Sequence, residues 1–213
     1  MFAFLRPSLP PRTNTASSST IVYEDGASSV EFFSANSDYI FRNIHPPFNK
    51  DRPSIMTPPP HYHIYQTENF RIVSGSVNLF KDKVDKPWLT LSADDPDAPK
   101  TATVPKRVCH TIHNASTTEK LVVDVKLSPE NYEAEQQFFR NFFGYLDDCR
   151  KAESPPSIFQ LMVFLHAADT PIALPLSGNL GFLASRLFLI SMALWGKWAL
   201  GYKTSYPEYY VSK

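Results

Sequence analysis

The segment His61-Tyr62-His63-Ile64-Tyr65-Gln66-Thr67-Glu68 constrains this chain more than any other. Side chains on a β-strand alternate with period two, so His61 and His63 face the same side of one. Glu68 follows five residues later and returns to that side if the chain bends between them. Two imidazoles and a carboxylate aimed at one point make most of a first-row metal site, and His110 downstream is a candidate fourth donor. The rest of the chain reads as scaffold, lid or anchor for that cluster.

Around the cluster the sequence is punctuated like an all-β domain. Residues 1–20, rich in Pro, Ser and Thr, carry no helix or strand period and are expected to form a disordered or loosely draped tail. Ile21-Val22-Tyr23 and Val30-Glu31-Phe32-Phe33 read as short strands about a Glu24-Asp25-Gly26 turn, and Tyr39-Ile40-Phe41 as a third apolar piece. Six prolines between Pro46 and Pro60 then argue for a loop or edge that delivers the chain to His61. Beyond it, Phe70, Ile72, Val77 and Leu79 alternate with polar residues about a Ser74-Gly75 turn. Trp88-Leu89-Thr90-Leu91, Thr103-Val104, the stretch around His110 and Leu121-Val122-Val123-Asp124-Val125 supply further strands. Short strands with frequent turns over 21–127 predict an antiparallel barrel, closed or built of two sheets.

The period changes at 128. Ser128 suits an N-cap, Pro129 the first helical position and Glu130 the positive end of the dipole, while Phe139, Phe142, Phe143 and Leu146 fall on one helical face. Residues 128–213 are therefore expected to be a helical extension. Ile158–Leu165 is apolar almost all round, and Leu180–Tyr202 is a second greasy segment. Arg186 and Lys197 leave that second segment only ten uninterrupted apolar residues, about half the ~20 a spanning helix wants. Two readings stay open for 157–202: a helical hairpin packed on the barrel or in a homodimer interface, or monotopic contact with a membrane surface, with Trp195, Lys197 and Trp198 at the boundary.

Composition excludes several classes. Net charge is zero and no dense Lys/Arg patch occurs, which argues against nucleic acid as a partner. Two cysteines, Cys109 and Cys149, argue against a disulfide scaffold and for a reducing compartment. The start, Met1-Phe2-Ala3-Phe4-Leu5-Arg6-Pro7, lacks a basic leader and a long apolar run, so a cytoplasmic location is expected, peripheral or monotopic on an intracellular membrane if the greasy segments engage one.

The two halves of the cluster read H-x-H-x4-E-x6-G, ending at Gly75, and P-x4-H-x3-N, from Pro105 through His110 to Asn114. This pair resembles the two motifs of the cupin superfamily in order and spacing. Three of the motifs' glycines are absent, with Ile55, Pro99 and Arg107 in their places, which bears on turn geometry rather than on the donors. The resemblance implies a single jelly-roll-like cupin β-barrel, mainly β, with His61, His63, Glu68 and His110 as metal ligands inside it. The chain also resembles fungal cupin-domain oxidoreductases of secondary-metabolite biosynthesis, which implies a small hydrophobic, polyketide-like substrate.

Imidazoles with one carboxylate suit one divalent Fe, Mn, Ni, Cu or Zn ion, and the oxidoreductase reading favours Fe(II). The expected activity is a metal-dependent oxidoreductase, in its sharpest form a non-haem iron dioxygenase. A metal-dependent isomerase, cyclase or decarboxylase and a non-catalytic metal-binding scaffold are the alternatives. No catalytic group beyond the metal donors is evident. His113, three residues from His110, should face away from the donors; His45 is a candidate for the barrel mouth, Gln66 for a supporting hydrogen bond, and Cys109 for a small buried residue.

Overall fold

The computed structural model describes residues 9–82 and 84–212 and divides them into two compact units, Ser19–Tyr132 and a second joining the chain before Ser19 to Glu133–Lys213. The first unit is all β: β1 (Thr20–Tyr23), β2 (Ser28–Phe32), β3 (Phe41–His45), β4 (Thr67–Ser74), β5 (Ser76–Lys81), β6 (Leu89–Ser92), β7 (Thr101–Val104), β8 (His110–Asn114) and β9 (Leu121–Ser128). They form a six-stranded sheet, ordered β1-β2-β3-β9-β4-β7, and a three-stranded sheet, β6-β5-β8. Every named pairing is antiparallel.

Alternation sets which side chains meet inside. On β4, Glu68, Phe70 and Ile72 are buried, and on β9 their direct partners Leu127, Val125 and Val123 are buried too. Directly opposed residues of an antiparallel pair point to one face, so these six lie on a single inner surface. The register of β4 on β9 shifts between Ile72 and Ser74, just before the turn into β5. Gly75 makes that turn with φ +76, and a Cβ there would lie 2.7 Å from the Lys120 carbonyl oxygen, so a side chain is excluded twice over. Asn114 ties down the neighbouring turn: its amide donates to the Pro46 and Glu119 carbonyls at 2.9 and 2.8 Å, and its own oxygen accepts from the Ser116 N–H.

The outer face carries one strong polar feature that the β-branched run of β9 concealed. Asp124 is fully buried on β9 between Arg42 of β3 and Arg71 of β4, its direct neighbours in register on either side. Arg42 donates through Nε at 2.7 Å and Nη2 at 3.1 Å, and Arg71 through Nε at 3.0 Å and Nη2 at 2.6 Å. The Arg71 guanidinium also lies 4.2 Å from the Tyr39 ring centroid.

The second unit contains α1 (Tyr132–Lys151, whose first residue belongs to the β unit), α2 (Ile158–Ala167) and α3 (Gly178–Leu194), which runs on into a wider π turn over Trp195–Ala199. The helix expected from Ser128 starts four residues later. Ser128 is still paired with Thr67 in the sheet, and the Pro129 carbonyl accepts from Gln66, so the strand consumes the expected cap. Acidic Glu133 and Glu135 open α1, and Arg150 and Lys151 close it, as the dipole favours. Burial extends beyond the predicted aromatic stripe to a polar face: Asn141 accepts from the Tyr206 N–H at 2.8 Å, and Asp148 accepts from the Tyr209 hydroxyl at 2.6 Å. Gly144 permits this, because a Cβ there would meet the Tyr209 ring at 2.7 Å.

Over its described part the tail is draped rather than disordered. Thr13 donates to Asp148 through its N–H at 2.8 Å and its hydroxyl at 2.6 Å, and Arg12 pairs with Glu208 at 3.0 Å. Asp148, buried in α1, and Glu208, half-buried near the C-terminal end, therefore hold a segment whose composition alone reads as disordered. Residues 1–8 lie outside the described part.

The Asp124 cluster makes a pH-dependent prediction. Burial alone would push its carboxyl up, but hydrogen bonds and charge from Arg42 and Arg71 outweigh this and hold it below the usual aspartate range. A depressed folded pKa stabilises above the unfolded value, ~3.9, and that stability is lost as pH falls through the folded one. Asp124→Asn is expected to destabilise by about 2 kcal/mol at neutral pH, discounted from a fully buried pair because both guanidiniums are partly exposed. Urea unfolding of both proteins across pH should show a difference that is constant above pH ~4 and shrinks below it.

Candidate metal centre

His61 and His63 do not sit on a regular strand, contrary to the strand expectation. His61 forms an isolated antiparallel bridge with His110: each backbone N–H donates to the other's carbonyl at 3.0 Å. The His63 carbonyl accepts from the Arg107 N–H at 2.8 Å. Both ends of His61-Tyr62-His63 are therefore clamped to the segment that contains His110, and both rings still turn inward. Arg107, standing where the second motif has a glycine, keeps a left-handed φ of +63, so the turn survives the substitution at a cost of about 1 kcal/mol or more.

The four predicted residues are brought together and are all buried, with donor atoms within 4.8 Å of one another. Glu68 Oε2 lies 2.7 Å from His110 Nε2, 3.3 Å from His63 Nε2 and 4.0 Å from His61 Nε2. An ion with ~2.1 Å bonds in octahedral geometry separates adjacent donors by ~3 Å and opposite ones by ~4.2 Å. The observed spread needs only small shifts to match, so the residues fit one ion.

Orientation is fixed from behind. His61 Nδ1 lies 2.9 Å from the Pro59 carbonyl oxygen, and His110 Nδ1 lies 2.9 Å from that of Val108. A carbonyl can only accept, so each Nδ1 carries the proton and each Nε2 is directed at the shared point, the tautomer a metal ligand requires. Both carbonyls lie two residues before their histidine, a regularity that residue-type patterns cannot reveal because every residue has a carbonyl.

Electrostatics agree with that role. Burial, reinforced by His110 and His63, drives the His61 pKa down to about 3 and keeps its ring neutral. Burial would raise Glu68, but the positive charge and hydrogen bonds of His63 and His110 prevail and hold it well below the usual carboxylate range. For His110, burial is overcome by the Glu68 hydrogen bond, and its pKa rises. A cation at this point would take the place of the proton that this pairing favours, so metal binding here would be coupled to proton release.

The remaining sequence candidates fall elsewhere. His113 is half-buried between the rings of Phe48 and Phe80, with centroids at 5.2 and 4.7 Å, and points away from the donors. Gln66 donates to the Pro129 carbonyl, tying the donor segment to the end of β9. Cys109 is buried beside Tyr62, and burial together with Asp82 pushes its thiol up, away from nucleophilic use. His45 is not beside the donors. It pairs with Leu121 whereas Glu68 pairs with Leu127, six positions along β9, or about 20 Å at strand rise. It is a buried neutral imidazole with its pKa lowered to about 4 by desolvation.

A two-sheet antiparallel barrel whose interior brings together three imidazoles and a carboxylate, supplied by these two motifs, has a cupin fold. No family model matches the chain. It is 32% identical to the probable oxidoreductase virH of Hypocrea virens, over 94% of this chain and 90% of that protein. It is 30% identical to the oxidoreductase iacF of Pestalotiopsis fici, over 58% of this chain and 59% of that one. Among solved structures, the capsular polysaccharide assembling protein CapF of Staphylococcus aureus matches with a TM-score of 0.39 and 21% identity, over 52% of this chain and 31% of that one. The chain belongs to the fungal oxidoreductase family of virH.

Glu68→Gln preserves shape while removing the anionic donor. It is expected to weaken binding of Fe(II), Mn(II) or Zn(II) by more than about tenfold, since even residues that merely orient ligands cost 10–100-fold when lost. His113→Ala should leave affinity unchanged. Elemental analysis after loading and dialysis reads both; equal metal content in wild type and Glu68→Gln would remove the centre.

Proposed function

We propose that this chain is a metal-dependent oxidoreductase acting on a hydrophobic, polyketide-like intermediate of secondary metabolism and, more sharply, a non-haem iron dioxygenase. The observation that carries this reading is the convergence of His61, His63, Glu68 and His110 on one buried point, in a chain whose relatives are oxidoreductases. These four residues would hold the metal. When bound, it would supply a Lewis acid and redox centre, with coordination positions left over beyond the four protein donors.

The chain's own residues define the surroundings. One carboxylate among neutral imidazoles leaves a divalent site net cationic, which favours an anionic substrate oxygen such as an enolate or phenolate. Leu127 and Val104 flank Glu68 directly in register, both buried, and Phe70 follows on the same face. This apolar lining supports a hydrophobic substrate and limits water at the donors. The Pro59 and Val108 carbonyls hold the imidazoles in their donating tautomer. Cys109 and Cys149 are both buried and unpaired, which supports a cytoplasmic, reducing setting.

Purification under nitrogen is expected to give protein carrying iron, and nitric oxide, as an oxygen surrogate, is expected to bind it with a half-integer-spin signal that His61→Ala abolishes. Stoichiometric zinc with no such signal would overturn the iron assignment. Turnover of phenolic and enolic candidates should require O₂. Product formed without O₂ or any electron acceptor would replace the oxidoreductase reading with non-redox chemistry at the same residues.

A further inference from the structure

Helix α3 has two unlike sides. One is buried and largely small: Gly181, Ser185, Leu189 and Ala193, followed by Gly196 in the closing turn. It packs against α2, and a Cβ on Gly196 would meet the Phe159 carbonyl oxygen and Val163 Cγ2, each at 3.0 Å. The Ser185 hydroxyl accepts from the Leu174 N–H at 2.9 Å. The opposite side is apolar and open, with Leu180, Leu183, Leu187 and Leu194 between 46% and 68% exposed and Trp198 at 70%. At ~100° per residue the four leucines fall within about 60° of arc, a continuous stripe. Exposed single leucines need no explanation, but a stripe of this length does.

The charges around the stripe select its occupant. Arg186 and Lys197 are the only charged residues between Leu176 and Tyr202, and both are cationic. Arg186, half-buried, lies ~90° from the stripe's centre and flanks it, and Lys197 is exposed in the closing turn. A second copy of the chain, paired along this face through a two-fold axis, would set cation against cation with no carboxylate between Leu176 and Tyr202 to answer them, Asp169 beside Arg186 lying on the segment after α2. A spanning arrangement also fails. By length and composition Gly178–Ala199 could cross a membrane, but the uninterrupted stretch 187–196 rises only ~15 Å against a hydrocarbon thickness of ~30 Å. Lying in the plane satisfies every group: leucines enter the acyl boundary, Arg186 and Lys197 reach phosphate, and Trp195 and Trp198 sit at headgroup depth.

We propose that the outward face of α3 docks on an anionic lipid surface, parallel to the membrane plane, through Leu180, Leu183, Leu187, Leu194 and Trp198, with Arg186 and Lys197 on the headgroups. The proposal is independent of the chemistry at the metal centre. It makes this chain a peripheral protein, held where hydrophobic substrates partition.

The test is co-sedimentation of the full chain with vesicles of phosphatidylcholine alone or with about a third phosphatidylserine. Wild type is expected to bind the serine-containing vesicles, less at high salt, and to bind the neutral ones more weakly. Arg186→Gln with Lys197→Gln should lower partitioning about tenfold or more, and Leu187→Glu should abolish it. An unchanged circular dichroism melt would show that Leu187→Glu still folds. Leu183→Glu serves as the second variant if it does not. Absence of binding to either vesicle, or equal binding by wild type and a folded face variant, would overturn the proposal. So would a wild-type dimer in light scattering that Leu187→Glu dissociates, since the face would then belong to a second copy.

Discussion

The pair of backbone hydrogen bonds between His61 and His110 is the constraint on which the candidate centre depends. These two residues are 49 positions apart, and the segments that hold them are short and irregular on the first side. A single antiparallel bridge suffices because it fixes two donors at once and leaves their rings 4.4 Å apart, centroid to centroid. His63 follows from His61 by chain geometry, and Arg107 pins its carbonyl. Glu68 alone arrives independently, on β4 of the larger sheet. The centre is thus assembled across the two sheets, three imidazoles on one side and the carboxylate on the other, and neither sheet holds it alone.

That division has an energetic consequence. A buried carboxylate facing three buried imidazoles is costly to desolvate unless positive charge meets it. In the larger sheet the same problem recurs on the outside at Asp124, where two guanidiniums answer one carboxylate across three strands. Outside, the answering charge is built into the protein permanently as arginine. Inside, it comes from groups that can be neutral or charged, and imidazole is the side chain that exchanges a proton for a cation near neutral pH. The outer cluster suits cross-strand register, and the inner one suits reversible occupation.

The donors, the barrel and the helical segments were legible because each rests on residue type at fixed spacing: period two for the strands, period three to four for α1, and two histidine-bearing motifs for the centre. What escaped depended on backbone groups or on polar partners remote in sequence. The Pro59 and Val108 carbonyls that set the imidazole tautomers have no side-chain signature. Ser128 looked like a helix cap and became a ladder residue, since pairing with Thr67 satisfied the strand before a helix could begin. Residues 9–18 looked disordered because their partners, Asp148 and Glu208, lie far along the chain. The polar side of α1 was missed for a related reason, since a hydrophobic stripe says nothing about a face buried by hydrogen bonds.

The placement of the motifs' flanking residues separates what holds the barrel from what would recognise a substrate. Gly75 and Asn114 converge on the Glu119–Leu121 turn, one by excluding a side chain beside Lys120 and the other by bonding the Glu119 carbonyl. They belong to the same end as His45, and the donors lie toward the other. There the chain is loop rather than strand: Tyr65 is 54% exposed between His63 and Glu68, while Lys106 and Arg107 are exposed before His110. A site with fixed side chains and irregular neighbours would keep any metal chemistry while the residues around it change. In the barrel unit the exposed positions of the 62–66 and 105–109 segments border the four converging side chains, and Arg107 holds its left-handed turn without a glycine while His110 stays in place.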